Sequence, residues 1–250
     1  MIWKQQIQQV DLFSKSIERV VSIMTMIDYL KKSYIKNYEN PVGDFTLLGL
    51  RIYVKEPLST RVNLRECLIE VFGNMPKYLY SNVHTVMIGQ FAFLRQRNID
   101  ATYQNGIIYI TNKHDDNYDF ISDVIHEIAH AFEESHSQEL YSDNEIKIEF
   151  LEKRKELFNI LKAHDLLGSF EKEDFLNTNY NLKFDHFLYQ AIGYEKLSNL
   201  TRNIFISPYA ATSLREYYAN AFENFFINDI FLVQKYAQSV YKKLLKYLEI

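Results

Sequence analysis

The sequence predicts an α+β, helix-rich fold built on a small sheet, and three observations carry that expectation. Glycine (7) and proline (4) are scarce in 250 residues, which suits long helices, because both residues interrupt them. Three short β-rich runs, FTLLGLRIYV, HTVMIGQF and IIYIT, read as strands and end by residue 111. Beyond Ser137 the apolar residues recur at helical spacing.

In chain order, Asp11 to Tyr38 reads as one or two amphipathic helices, with Phe13, Ile17, Val20, Val21, Met24 and Ile27 on one face. Phe45 to Val54 reads as a strand, and Leu64 to Phe72 as a helix with Cys67 in its core face. His84 to Phe91 is a second strand, and Asn105-Gly106 is a turn leading into a third at Ile107 to Thr111. The polar run NKHDDNYD then leads to an apolar helix containing DVIHEIAHAFEES, Asp123 to Ser135. Glu145 to Leu167 alternates charges with a stripe at Ile148, Leu151, Phe158 and Leu161. Phe184 to Leu200 is a further helical stretch. ISPYAATS is a loop whose Ser213 can cap the helix beginning LREYYANAFENFF. The final run, FLVQKYAQSVYKKLLKYLEI, fits a docking helix with a solvated basic face better than a membrane-surface helix. With no repeat and no Pro/Gly/Ser linker, residues 1–250 are expected to form a single domain. Its N-terminal lobe, about 1–136, holds the strands and the motif helix, and its helical C-terminal lobe covers about 137–250.

Composition narrows the function classes. Hydrophobic residues make up 47% and aromatics 15%, enough for a sizeable core. The formal net charge of −4 gives no general pull toward nucleic acid or an anionic membrane. A single cysteine excludes an internal disulfide. No apolar run approaches the ~20 residues of a membrane span. MIWKQQIQQVDLF lacks a signal peptide's basic start and apolar block, so a cytoplasmic location is expected, with a secreted or virion-associated one left open.

The chemistry concentrates in His126-Glu127-Ile128-Ala129-His130. Residues four apart on a helix share a face, roughly 6 Å apart, so two imidazoles can reach one metal ion. Glu127 is turned about 100° round the axis, placed to reach a water on that metal. Metallopeptidases use this arrangement, with two His ligands and a Glu base. The plain alternative is a pair of unrelated histidines, but polar side chains in so apolar a helix need partners.

Such a site needs a third ligand, and three candidates stand out. His136 has the HExxHxxGxxH spacing, but Glu133 occupies the required glycine. A continuous helix carries His136 ~9 Å along the axis from His130. Glu149 has a spacing known in thermolysin-like aminopeptidases, yet its surroundings, IKIEFLEKRK, read as a solvated face. Glu216 is the strongest, because Glu216, Asn220 and Glu223 share one face of an aromatic-rich, buried helix, where a carboxylate needs a strong partner.

HEIAHAFEE followed much later by SPYAATSLREYYANAFENFF resembles the anthrax lethal factor-like gluzincin metallopeptidases. That family has an HExxH helix, a downstream Glu opening an E-(F/Y)-(F/Y)-A-x-A-F segment, and a tyrosine seven residues before that Glu. Here Glu216 opens EYYANAF and Tyr209 stands seven residues earlier. The likeness runs from about Ile107 to the C-terminus, less a helical insert between about Glu145 and Asn203. It implies a zincin-like metalloprotease fold, α+β with a small mixed sheet and an HExxH active-site helix. It also implies Zn2+ held by His126, His130 and Glu216, with Glu127 as general base, Tyr209 stabilising the oxyanion, and a peptide or protein substrate lying along Ile107–Thr111. Asn220 stands where the family usually has a second acidic residue behind a ligand histidine, which implies weaker zinc binding. The segment E-x-x-A-N-x-F also resembles that of intracellular repressor-cleaving proteases, in which the Glu follows HExxH more closely. The rival expectation is a non-catalytic structural or assembly module on the same fold.

Overall fold

The structure, a computed structural model, describes residues 42–202, 204–227 and 229–248. The helices expected over Asp11–Tyr38 lie outside these residues.

Five strands form one mixed sheet: β1 (Gly43–Leu47), β2 (Leu50–Val54), β3 (Thr85–Ile88), β4 (Ala101–Gln104) and β5 (Ile107–Ile110), in the order β1-β2-β3-β5-β4. The inner strands β2, β3 and β5 run parallel, and the outer strands β1 and β4 are antiparallel to their neighbours. The run read as a single strand over Phe45–Val54 is two strands. Leu48 (φ +53°) and Gly49 (φ +83°) close a two-residue hairpin with Leu47 opposite Leu50. Two successive positive φ values match the twist of the flanking strands. An apolar leucine in the first turn position conceals the break. The expected turn at Asn105 (φ +49°) and Gly106 (φ +83°) is a second such hairpin.

Period-two alternation buries one face of the sheet. Ile52, Val54, Val86, Ile88, Ile108 and Ile110 are each at most 1% exposed. Against the core lie α1 (Leu64–Asn74), with Cys67 fully buried and its thiol pushed by burial up to about 12, and the long helix α3 (Asn117–Tyr141). A short helix, α2 (Ala92–Arg97), links β3 to β4. Asp116 caps α3 through the Asp119 amide, 3.0 Å away, so α3 begins inside the run read as a polar loop.

The rest is helical: α4 (Glu145–Ala163), α5 (Lys172–Leu176), α6 (Leu182–His186), a π-helical turn (Phe187–Gly193), α7 (Tyr194–Leu200), a 3-10 turn (Tyr209–Ala211), α8 (Leu214–Ile227), α9 (Ile230–Tyr236) and α10 (Gln238–Tyr247). The buried stripe of α4 is Ile146, Phe150, Arg154, Leu157 and Leu161, whereas Ile148, placed in the stripe from sequence, is 54% exposed. A charged residue in mid-stripe hides the true face. The final helix is broken at Ala237 (φ −144°, ψ 56°), and α10 docks through buried Val240 and Leu244. Tyr247 of α10 meets Phe132 of α3 edge-on at 5.1 Å. α3 spans the expected lobe boundary at 136/137 and packs against β4, β5, α1, α4 and α8, so sheet and helices share one core. Among the described residues no helix is long and apolar enough to cross a membrane.

Candidate metal centre

Two elements build the site. α3 brings His126, Glu127 and His130 to its face toward α8, and α8 supplies Glu216 from its first turn. Ser213 fixes the start of α8, its Oγ accepting from the Glu216 amide at 3.1 Å, as its sequence position predicted. His126 Nε2 lies 3.0 Å, and His130 Nε2 3.5 Å, from the same oxygen, Oε2 of Glu216. One ligand atom from each of the three residues lies within 4.8 Å of the others. A tetrahedral ion with ligands ~2.0–2.2 Å away separates them by about 3.3 Å. Two imidazoles and one carboxylate are also the donor set that suits zinc and related transition ions.

The far side of each imidazole is also occupied. His126 Nδ1 lies 3.0 Å from Oε2 of Glu223, whose Oε1 accepts from Ser122 Oγ at 2.6 Å. His130 Nδ1 lies 3.6 Å from Oε2 of Glu133 and 3.0 Å from Nε of Arg215. Arg215 Nε is itself 3.2 Å from Glu133, and the Tyr141 hydroxyl donates to Glu133 at 2.6 Å. Behind His126, Glu223 fixes the ring and raises its basicity, as around bound metals. Behind His130 the contacting group is Arg215, whose Nε donates to Nδ1, and the Glu133 carboxylate stands just beyond hydrogen-bond reach. Sequence reasoning did not give Glu223 this role. It left the support of a histidine to Asn220, whose buried Oδ1 has no partner. Glu223 supplies the charge instead, one turn further along the same face. Its i+7 spacing from Glu216, and the i+3 spacing of Glu133 from His130, were the available signals.

Electrostatics follow from burial and these partners. Burial alone would lower the His126 pKa, but Glu216 and Glu223 hold it well above the usual range. Burial opposes ionisation of Glu216, and the two histidines outweigh it, pulling its pKa far below the ordinary carboxylate value. Glu127 is 6% exposed, and its pKa is raised mainly by burial. Its Oε2 accepts from the Tyr103 amide on β4 at 2.5 Å. Tyr209 sits beside the pair, its ring centroid 6.2 Å from that of His126. Burial and the charge of Glu216 raise its phenol, so it stays a proton donor at neutral pH.

The other two candidates are elsewhere. His136 has non-helical angles (φ −117°, ψ 15°) and stacks on Phe132 with centroids 4.0 Å apart. Glu149, expected on a solvated face, is half-buried. It accepts from the Tyr217 hydroxyl and, at 2.7 Å each, from the amide and hydroxyl of Ser239. It ties α4 to α8 and α10, a use its charged neighbours disguise. Ile107–Thr111, expected to present a sheet edge, is internal. β5 lies between β3 and β4, and the edge beside Glu127 is β4.

No protein-family model, curated protein or solved structure matches this chain.

Proposed function

We propose that this protein is a zinc-dependent endopeptidase of the gluzincin type on a zincin-like fold, with His126, His130 and Glu216 as zinc ligands, Glu127 as general base and Tyr209 as oxyanion donor. The observation that carries the reading is the convergence of His126, His130 and Glu216 from two helices, with the Glu223 carboxylate behind His126 and a further buried carboxylate, Glu127, adjacent. Zinc, when bound, supplies Lewis acidity that lowers the pKa of a bound water to about 7. The peptide backbone pairs with β4, the sheet edge beside Glu127, at groups other than the Tyr103 amide. Glu127, its carboxylate oriented by the Tyr103 amide, accepts the proton of the attacking water. The Tyr209 hydroxyl donates to the carbonyl oxygen as negative charge develops there. Glu127 then returns the proton to the leaving amine.

The test measures zinc content and cleavage of a peptide library by the purified chain and by Glu127→Gln. One zinc per chain and cleavage that disappears in the variant support the reading. Zinc without cleavage favours the structural module. Absence of zinc from a folded chain overturns it.

A further inference from the structure

The helical segment between the motif helix and Glu216 carries a buried cation that the centre does not touch. Arg154, in mid α4, is 1% exposed. Its Nη1 donates to the carbonyls of Ala211 (2.5 Å) and Thr212 (3.3 Å), and its Nη2 to that of Asp174 (2.9 Å). The guanidinium lies 4.0 Å from the centroid of the Phe184 ring, with Phe150 at 5.4 Å and Phe175 at 5.7 Å. Burial lowers its pKa to about 9, so it keeps its charge at neutral pH.

A buried charge is costly unless fixed dipoles replace water. Here the dipoles are carbonyls on two separate segments, joined by a fork that only a guanidinium presents. Ala211 and Thr212 lie between Tyr209, which faces His126, and Ser213, which caps the Glu216 helix. Neighbouring positions of α4 hold the flanks of this loop. Lys153 donates to the Ile204 carbonyl at 2.7 Å, and Glu149 accepts from Tyr217.

We infer that Arg154 is a positioning residue of the metal centre: it fixes the turn from Tyr209 to Ser213 and thereby aims the Tyr209 hydroxyl and the Glu216 carboxylate at His126 and His130. The helical insert is then the rear support of the site. The Tyr209 half of this inference rests on the peptidase reading, and the Glu216 half only on metal binding.

The test is a cycle between Arg154→Met, which keeps the stem's packing and removes the donors, and Tyr209→Phe. In the folded, zinc-loaded chain Arg154→Met is expected to lower kcat about 10–100-fold with little change in KM. In the Tyr209→Phe background the same substitution should cost less than about threefold, because residues acting as a unit are non-additive. Zinc affinity, read by chelator competition, should fall ~10–100-fold, the usual effect of losing an outer support of a ligand. Arg154→Lys, which keeps the charge but not the fork, should recover part of each loss. It carries the cycle if the Met variant does not fold. An equal kcat loss in both backgrounds overturns the inference, as does no loss at all. If the wild-type chain cleaves nothing, the peptidase proposal fails by itself and zinc affinity decides: weakened binding in the variant supports the inference, and unchanged binding overturns it. A wild-type chain that binds no zinc overturns both.

Discussion

His126 is gripped at both ring nitrogens by carboxylates of one helix: Nε2 lies 3.0 Å from Glu216 and Nδ1 3.0 Å from Glu223. The first carboxylate lies on the side of the ring where His130 also reaches Glu216, and the second holds its back. Their seven-residue spacing on α8 brings both to the helix face that meets α3.

Glu223 should therefore matter to metal binding although it is no ligand. Glu223→Gln removes the charge behind His126 and is expected to weaken zinc affinity ~10–100-fold without abolishing binding. Asn220→Ala, at the position first expected to support the histidine, should leave affinity unchanged. Chelator competition on both variants checks this, and the reverse order would return the supporting role to Asn220.

How much of this centre was legible depended on the range of each relation. His126, Glu127 and His130 could be read because their geometry is set by one helix turn. The Ser213 cap and the shared face of Glu216 and Glu223 could be read for the same reason. That Glu223 meets His126, 97 positions away, required the packing of α8 on α3. The fold shows the same limit. The Asn105-Gly106 hairpin announced itself, whereas Leu48-Gly49 sat inside an apolar run. The burial of Arg154 and Glu149 ran against what their charge implied, because each finds partners on segments remote in sequence.

Glu149 supplies a stability prediction. From sequence, Glu149 was expected on a solvated face. In the structure its carboxylate takes three hydrogen bonds from Tyr217 and Ser239. The substitution removes the acceptor of the half-buried Ser239 amide and hydroxyl, leaves the Tyr217 hydroxyl to the Tyr236 carbonyl alone, 3.0 Å away, and should cost about 1–2 kcal/mol. Urea unfolding measures the loss, and zinc stoichiometry should stay at the wild-type value. Emptying of the metal site by this variant while Glu216→Ala retains zinc would mean that the third ligand is misassigned.

Glu127 and Tyr209 are separated by their expected kinetic signatures. Glu127→Gln keeps an oxygen for the Tyr103 amide but cannot take up a proton. It should hold zinc and lose about 100-fold or more in turnover. Tyr209→Phe removes one oxyanion donor and should lower kcat by a factor of order 10²–10³ at unchanged zinc content. A phenylalanine variant of full activity would leave Tyr209 as a wall of the cleft only.

Metal removal tests the centre without reference to activity. Ligands bound only by the folded chain stabilise it by RT ln(1 + [L]/Kd), about 2.7 kcal/mol at free zinc 100 times Kd. For a chain of this length each kcal/mol moves Tm by roughly 2–4 °C, so chelation should lower Tm by about 5–10 °C. The shift should grow with free zinc concentration, because it arises from mass action and not from a change in packing. Glu216→Ala leaves two histidines from a single helix, so α3 and α8 are no longer joined through the ion. In that variant the zinc-dependent part of Tm should vanish, and its zinc-free Tm should fall below that of the zinc-free wild-type chain, because the carboxylate paired with His126 and His130 is gone. Differential scanning calorimetry across a zinc titration measures both quantities. A full zinc response in Glu216→Ala would mean that Glu216 is not a ligand of the stabilising ion.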